Sequence, residues 1–295
     1  MSFKHVGILS IGEMGYHWAR VLGEHNVKVF SLADGRSAAT RERALSIGVE
    51  LAPSMEDLIS GVDLVVAIVV PSAAKEVAER VALALTSSGR SGFLYMDANA
   101  VSPMTAESLA RTMTQARAHY IDGCIIGGAA KMDQGTVVYV SGPEANRLAA
   151  LNESGLRVKV LGPGATQASA FKVIHAGLSK GLAGLFTELL VGANALGLLE
   201  ETLKDYDENY PGLLNKISNS VGSLPVHAKR RSEEMIELRE TFAHYGIAPM
   251  VVPAVEKLLG SIADLDTGAA EKRRQSLVDA IKLFSDRGLL RTEAV

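Results

Sequence analysis

The stretch Gly7-Ile8-Leu9-Ser10-Ile11-Gly12-Glu13-Met14-Gly15 decides the fold. An apolar run over residues 6–11 meets Gly12 and Gly15, and a helical pattern over 15–24 starts at once. Strand, glycine turn and helix in that order form the phosphate cradle of a dinucleotide-binding unit, with Ser10 standing where the first glycine of the pattern falls. Glycines there allow a tight turn and bring the backbone close to a pyrophosphate, whose charge meets free N–H groups at the helix start. Ser10, Ile11, Gly12, Glu13, Met14 and Gly15 are therefore expected to line a dinucleotide site. A purely structural glycine turn is the alternative.

Outward from this turn, short apolar runs at 27–32, 64–70, 92–97, 119–122 and 136–141 alternate with helical patterns at 37–46, 54–59, 73–85 and 102–115. The runs are continuously apolar rather than alternating, as parallel strands covered by helices on both faces are. The expected fold is α/β, a Rossmann-like doubly wound parallel sheet followed by an all-α C-terminal domain. A strand at 158–161 and the punctuation Gly162-Pro163-Gly164 close the first part, after which only long helical patterns follow. Residues 1–163 are read as the dinucleotide-binding domain and 164–295 as a helical domain for substrate binding and dimerisation. A proline-free helix from 165 to about 199 would span roughly 50 Å, and its Ala and Gly residues would let other helices pack close. Pro211, Pro225, Pro249 and Pro253 divide the rest.

The 295 residues carry 30 basic and 33 acidic side chains, for a net charge of −3. Spread as they are, they leave no electrostatic footprint for nucleic acid or an anionic membrane. The apolar runs fall far short of a bilayer span, and the one nearest the N-terminus leads into glycines, as a first strand does and a signal peptide does not. Cys124 is the only cysteine. An internal disulfide is thereby excluded, no paired thiolates offer a zinc site, no metal is expected, and the expected setting is cytoplasmic. A homo-oligomer, in the first instance a dimer, is expected because a small-residue helical domain gains core by pairing with its copy.

The end of the second strand selects between the two nicotinamide cofactors, since an acid there binds the ribose hydroxyls of NAD and an arginine accommodates the extra phosphate of NADP. Asp34, Arg36 and Ser37 follow that strand, with Arg41 and Arg43 beyond. NADP is the first reading and NAD the alternative; Asp34 capping a turn beside a solvated Arg36 is the structural one. Val70 and Pro71, and after the next strand Asn99, fall at strand ends, where open α/β sheets hold their ligands. Asn99 is read as bonding the nicotinamide carboxamide or a substrate hydroxyl, or else as an ordinary turn residue.

These motifs together resemble the β-hydroxyacid dehydrogenases, the superfamily that includes 6-phosphogluconate dehydrogenase and 3-hydroxyisobutyrate dehydrogenase, over most of the chain. The opening strand and turn match, with Met14 before the last glycine. Asp97-Ala98-Asn99-Ala100-Val101-Ser102-Pro103 is similar to the family's Asp-x-Ser-Thr-x-x-Pro, and Asp122-Gly123-Cys124-Ile125-Ile126-Gly127-Gly128 to its Asp-Ala-Pro-Val-Ser-Gly-Gly substrate loop. Gly162-x-Gly164 followed by Lys172 is similar to the interdomain helix that carries the family's catalytic lysine. The resemblance implies a nicotinamide-dependent oxidoreductase for a small hydroxy acid or related polar alcohol, with Lys172 as proton donor or acceptor and Ile126, Gly127 and Gly128 at the substrate. Ile126 and Asn99 replace serines of the family, and His175-Ala176 occupies the stretch of its helix asparagine. The branch is therefore divergent, and the family's particular substrates do not carry over.

Hydride transfer to or from a secondary alcohol requires a proton to move on the oxygen, and lysine can exchange one near neutral pH when burial lowers its pKa. Lys172 sits in the apolar segment Ala168-Ser169-Ala170-Phe171-Lys172-Val173-Ile174; the bland alternative is a lysine reaching solvent from a helix end. His175, three residues on, is read as orienting substrate or as a satisfied core histidine, and Lys180 is the reserve candidate on roughly the same face. Arg231, in the basic cluster His227-Ala228-Lys229-Arg230-Arg231, is read either as an anion anchor or as part of a solvated face. Two rivals stand beside the dehydrogenase: an imine reductase on the same fold, and a cofactor-binding sensor without turnover.

Overall fold

The computed structural model describes residues 2–35, 37–266 and 273–290. The chain divides into two compact units, Met1–Lys172 and Val173–Val295. The first is built on an eight-stranded sheet of order β3-β2-β1-β4-β5-β6-β7-β8: β1 is His5–Leu9, β2 Lys28–Leu32, β3 Glu50–Ala52, β4 Leu64–Ala67, β5 Leu94–Asp97, β6 His119–Ile126, β7 Val137–Ser141 and β8 Val158–Gly162. Helices α1 (Glu13–Glu24), α2 (Ala38–Leu45), α3 (Met55–Gly61), α4 (Ala74–Ser88) and α5 (Pro103–Gln115) connect the first six strands.

Continuous apolar strands produce two cores, one on each face of the sheet. Val6, Ile8, Val66, Met96 and Ile121 pack with Trp18 and Leu22 of α1 on one side, and Leu9, Val65, Tyr95 and Tyr120 pack with α3, α4 and α5 on the other. Each fully buried aliphatic side chain contributes about 1.5–3 kcal/mol, so the alternation between the two cores fixes the register of the central strands. Two features depart from the sequence-based expectation, an antiparallel strand and an additional short one. Strand β7 runs antiparallel to β6, because the link between Ile126 and Val137 carries only the short 3₁₀ turn Ala129–Lys131 and a parallel return needs a longer crossover. Strand β3 is only three residues long, too short to show any periodicity.

Helix α6 (Gln167–Ala195) runs on into the second unit, where α7 (Leu199–Asn209), α8 (Leu213–Gly222), α9 (Leu224–His244), α10 (Val251–Asp264) and α11 (Leu277–Asp286) follow. The expected texture of helices without strands holds for the described residues of this unit. Its core gathers Phe186 and Leu190 of α6, Ile217 of α8, Met235 of α9, Leu259 of α10 and Phe284 of α11. Small residues of α6 admit the other helices, as a Cβ added at Gly177 would overlap Leu238 of α9. Among the described residues, no helix is long and apolar enough to cross a membrane.

Candidate active site

Strands β1, β2, β4, β5 and β6 are parallel, so their carboxyl ends share one edge of the sheet. The strand order reverses between β1 and β4, which opens the crevice where ligands of doubly wound sheets bind. The turn after β1 sits at this point. Ser10 adopts φ +84°, a left-handed conformation that glycine takes freely and other residues rarely do. A Cβ at Gly15 would overlap the carbonyl oxygen of Ser10, so the helix reaches the strand only through a glycine. Gly12 is different: an added Cβ would meet only the Ser10 hydroxyl, at 3.8 Å. The space over Gly12 is thus open, and no side chain caps the first N–H groups of α1. A cradle with free N–H donors and room above its glycine fits a pyrophosphate. Ile11 is buried and Glu13 exposed, so any contact from Ile11 comes from its backbone.

The residues after β2 lie on the surface. Asp34 is ion-paired with Arg80 of α4 at 3.4 Å, and the Ser37 hydroxyl caps α2 by accepting the Thr40 N–H at 3.2 Å. Arg36 lies outside the described residues. Val70 is 65% exposed, with exposed Pro71 next to it, so both present side chains at the crevice edge rather than to the core.

Asn99, by contrast, is buried and engaged within the protein. Its Oδ1 accepts the Val69 N–H at 2.6 Å and its Nδ2 donates to Asp97 at 2.7 Å, tying the end of β5 to the loop after β4. Asp97 also accepts the Asn99 N–H. Across the β5–β6 pairing Asp97 lies opposite Asp122. Burial raises both carboxyls, Asp97 to about 7 and Asp122 to about 6, against the lowering effect of their hydrogen bonds; the Asp122 charge adds to the rise at Asp97.

Asp122 has a second role that sequence reading did not assign. Its carboxylate accepts the Ser169 N–H at 2.8 Å and the Ser169 hydroxyl, and Ser141 Oγ donates to it at 3.4 Å while accepting the Ala168 N–H at 2.9 Å. An acid and a hydroxyl thus satisfy the first N–H groups of α6, where a negative charge also complements the helix dipole. Three residues further on stands Lys172, half-buried, whose Nζ donates to the Ile125 carbonyl near the end of β6. Burial pushes the neighbouring Cys124 thiol up to about 12 although Lys172 lowers it, so the thiol is inert near neutral pH. The loop beyond is fixed as well: Gly127 holds φ +138° against Thr136, and Thr136 Oγ1 donates to the Gly128 carbonyl at 2.7 Å. Ile126 ends β6 half-buried beside it.

The remaining candidates belong to the second unit. His175 is exposed on α6. Lys180 pairs with Glu234 and is 13% exposed, which makes it part of the helical packing. Arg231 bonds Ser220 and Ser223 within the second unit. Among the described residues, no cluster of His, Cys, Asp or Glu is arranged to hold a metal ion. The acids Asp97 and Asp122 went unassigned because an aspartate at a strand end has many structural roles; their position inside two apolar runs was the available signal.

Comparisons with known proteins bear on the family of the chain. Residues 193–262 match a domain of unknown function. A curated protein of Methanothermus fervidus, described as an uncharacterized 28.5 kDa protein, is 26% identical over 88% of this chain and 99% of its own length. Among solved structures, a conserved protein of unknown function, reported to be structurally similar to 3-hydroxyacid dehydrogenases, is 28% identical (88% of this chain, 97% of that one, TM-score 0.75). Mycobacterium tuberculosis 3-hydroxyisobutyrate dehydrogenase shares the fold at 16% identity (96% and 99%, TM-score 0.74), as does an imine reductase from Myxococcus stipitatus, also at 16% (96% and 100%, TM-score 0.60). Residues 5–153, half of the chain, match the family described as the NAD binding domain of 6-phosphogluconate dehydrogenase. With its Rossmann-like sheet and helical second part, the chain belongs to that family.

Proposed function

We propose that this protein is an NAD(P)-dependent oxidoreductase that moves a hydride between the nicotinamide and a small hydroxy acid or related polar alcohol, with Lys172 as the general acid and base. The observation that carries the reading is the placement of Lys172: its amine is fastened to Ile125 near the carboxyl end of β6, the same sheet edge that bears the open glycine turn. Backbone N–H groups of Gly12 to Gly15 would hold the pyrophosphate, and Val70 and Pro71 would flank the cofactor. When bound, the nicotinamide supplies or accepts the hydride. In oxidation, the Lys172 amine takes the proton from the substrate hydroxyl as the carbon loses its hydride; in reduction, the ammonium returns that proton to the carbonyl oxygen. Asp122, through Ser169, positions the first turn of α6 and with it Lys172. Asn99 shapes the floor by clamping Val69, and one Nδ2 hydrogen is left for a carboxamide. Gly127 and Gly128 would border the substrate.

NADP is the preferred cofactor in this reading, because Arg80 offsets the charge of Asp34 and Arg41 and Arg43 follow on α2. A homodimer accompanies it: Ile174, Leu178, Leu185 and Leu189 stand exposed along α6 and Leu196 just past its end, an apolar stripe that a copy of the chain would cover. A cytoplasmic setting fits the single, buried, free cysteine. Imine reduction is the second reading, favoured by apolar Ile126 where a carboxylate-binding serine would stand. Hydroxy acids offered with NADP and NAD, and ketone–amine pairs offered with NADPH, test both. Turnover of hydroxy acids lost in Lys172→Ala supports the first reading. Turnover confined to imines supports the second, and cofactor binding without any turnover would leave a sensor.

A further inference from the structure

In the second unit, the end of α8, the start of α9 and the segment before α11 enclose a cavity of about 480 Å³. Lys216, Arg230, Arg231, Arg274 and His227 line it, and among the described residues no carboxylate does. Of these cations, among the described residues, only Arg230 forms an ion pair, with Glu234, whose charge also acts on Arg231; Lys216 and Arg274 form none. The two other guanidiniums are held by neutral oxygens. Arg231, half-buried, donates to the Ser220 carbonyl at 2.6 Å and to Ser223 Oγ at 2.7 Å, and Arg274 donates to Asn219 Oδ1 at 3.1 Å. Their positions are set by backbone as well: Gln275 N–H bonds the Gly222 carbonyl at 2.8 Å, and a Cβ at Gly222 would overlap the Gln275 carbonyl, so the Arg274 segment passes α8 only over a glycine. Capping the carbonyl end of α8 accounts for one or two cations, not for four converging from three segments. Desolvation and the charges of Arg230, Arg231 and Arg274 hold the exposed His227 below its ordinary pKa, as expected where positive charge predominates.

We propose that this cavity is a second binding site, separate from the dinucleotide turn, for the phosphoryl group of a small molecule. Guanidiniums fixed in advance by neutral acceptors retain their full charge and lose little freedom on binding, which suits a compact dianion with several oxygens. The volume exceeds that of a phosphate alone and falls in the range of metabolite pockets, so the rest of the ligand has room beside Val226 and Ser223.

The test is a proton NMR titration of the His227 imidazole in the full chain, with inorganic phosphate as the probe and acetate and malonate at equal ionic strength as controls. Phosphate is expected to raise the His227 pKa, acetate to leave it unchanged, and malonate to act at least tenfold more weakly than phosphate. Arg274→Gln and the exposed Lys216→Gln are each expected to weaken phosphate at least tenfold, about 1.4 kcal/mol, and Arg231→Gln more, with the folded spectrum of the two surface variants as the check on integrity. The readout is an imidazole that itself lines this cavity. An unmoved His227, equal binding of malonate, or unchanged affinity in both surface variants would overturn the assignment.

Discussion

Replacing Asp122 by Asn isolates the cost of a buried charge at the base of α6. The asparagine keeps an oxygen for the Ser169 N–H and can reverse the bond with the Ser169 hydroxyl, so the geometry is retained while the charge goes. Asp122 titrates at about 6 in the folded chain against 3.8 when unperturbed. A carboxyl raised in this way gives its full stabilisation below the unfolded pKa, as the protonated acid, and loses it as pH climbs through the folded value. The rise of roughly two units corresponds to about 3 kcal/mol. The amide of the variant cannot titrate, and without the neighbouring charge Asp97 also ionises more easily. The stability of the variant relative to the native chain is therefore expected to grow by about 3 kcal/mol between about pH 4 and pH 8. Trp18, the single tryptophan, is fully buried in the first unit, so urea unfolding followed by its fluorescence reads this unit. Parallel pH profiles for the two proteins, or a native chain that gains on the variant as pH rises, would refute the reasoning.

Gly12→Ala is expected to leave the thermal midpoint nearly unchanged, since its Cβ meets open space, yet to weaken NADPH binding at least tenfold by fluorescence titration; unchanged affinity would remove the pyrophosphate from this turn. Gly15→Ala is expected to destabilise the first unit by several kcal/mol, because the clash falls on backbone; an unshifted urea midpoint would contradict the packing described. Tyr95 is fully buried, and its hydroxyl has no hydrogen-bond partner among the described residues. Tyr95→Phe should then stabilise by about 1 kcal/mol, and a clear loss of stability would mean that the hydroxyl is satisfied.

The sheet edge was legible because its signals are local: continuous apolar runs, two glycines three residues apart, and a strand that ends where a helix begins. Lys172 became the candidate through the family motifs, which tie Gly162-x-Gly164 to a lysine on the helix that follows. What escaped depends on distant partners. Asp122 meets Ser169 from 47 residues away, and Arg80 meets Asp34 from 46, separations at which periodicity says nothing. Asn99 showed the same limit: its position at a strand end was correctly read, but burial and the Val69 N–H decide how its amide is used. The reversal of β7 turned on a connection whose length alone, without the hydrogen-bond ladder, did not declare its direction.

The central claim, that the Lys172 amine exchanges the substrate proton beside the nicotinamide, is tested most directly by Lys172→Met, which keeps the apolar stem and removes the amine. Hydroxy-acid oxidation with NADP would be followed by the appearance of reduced nicotinamide, with NADPH affinity measured in parallel. The account predicts a fall in kcat of at least a hundredfold with the cofactor Kd unchanged. A variant that turns over at the native rate would contradict it.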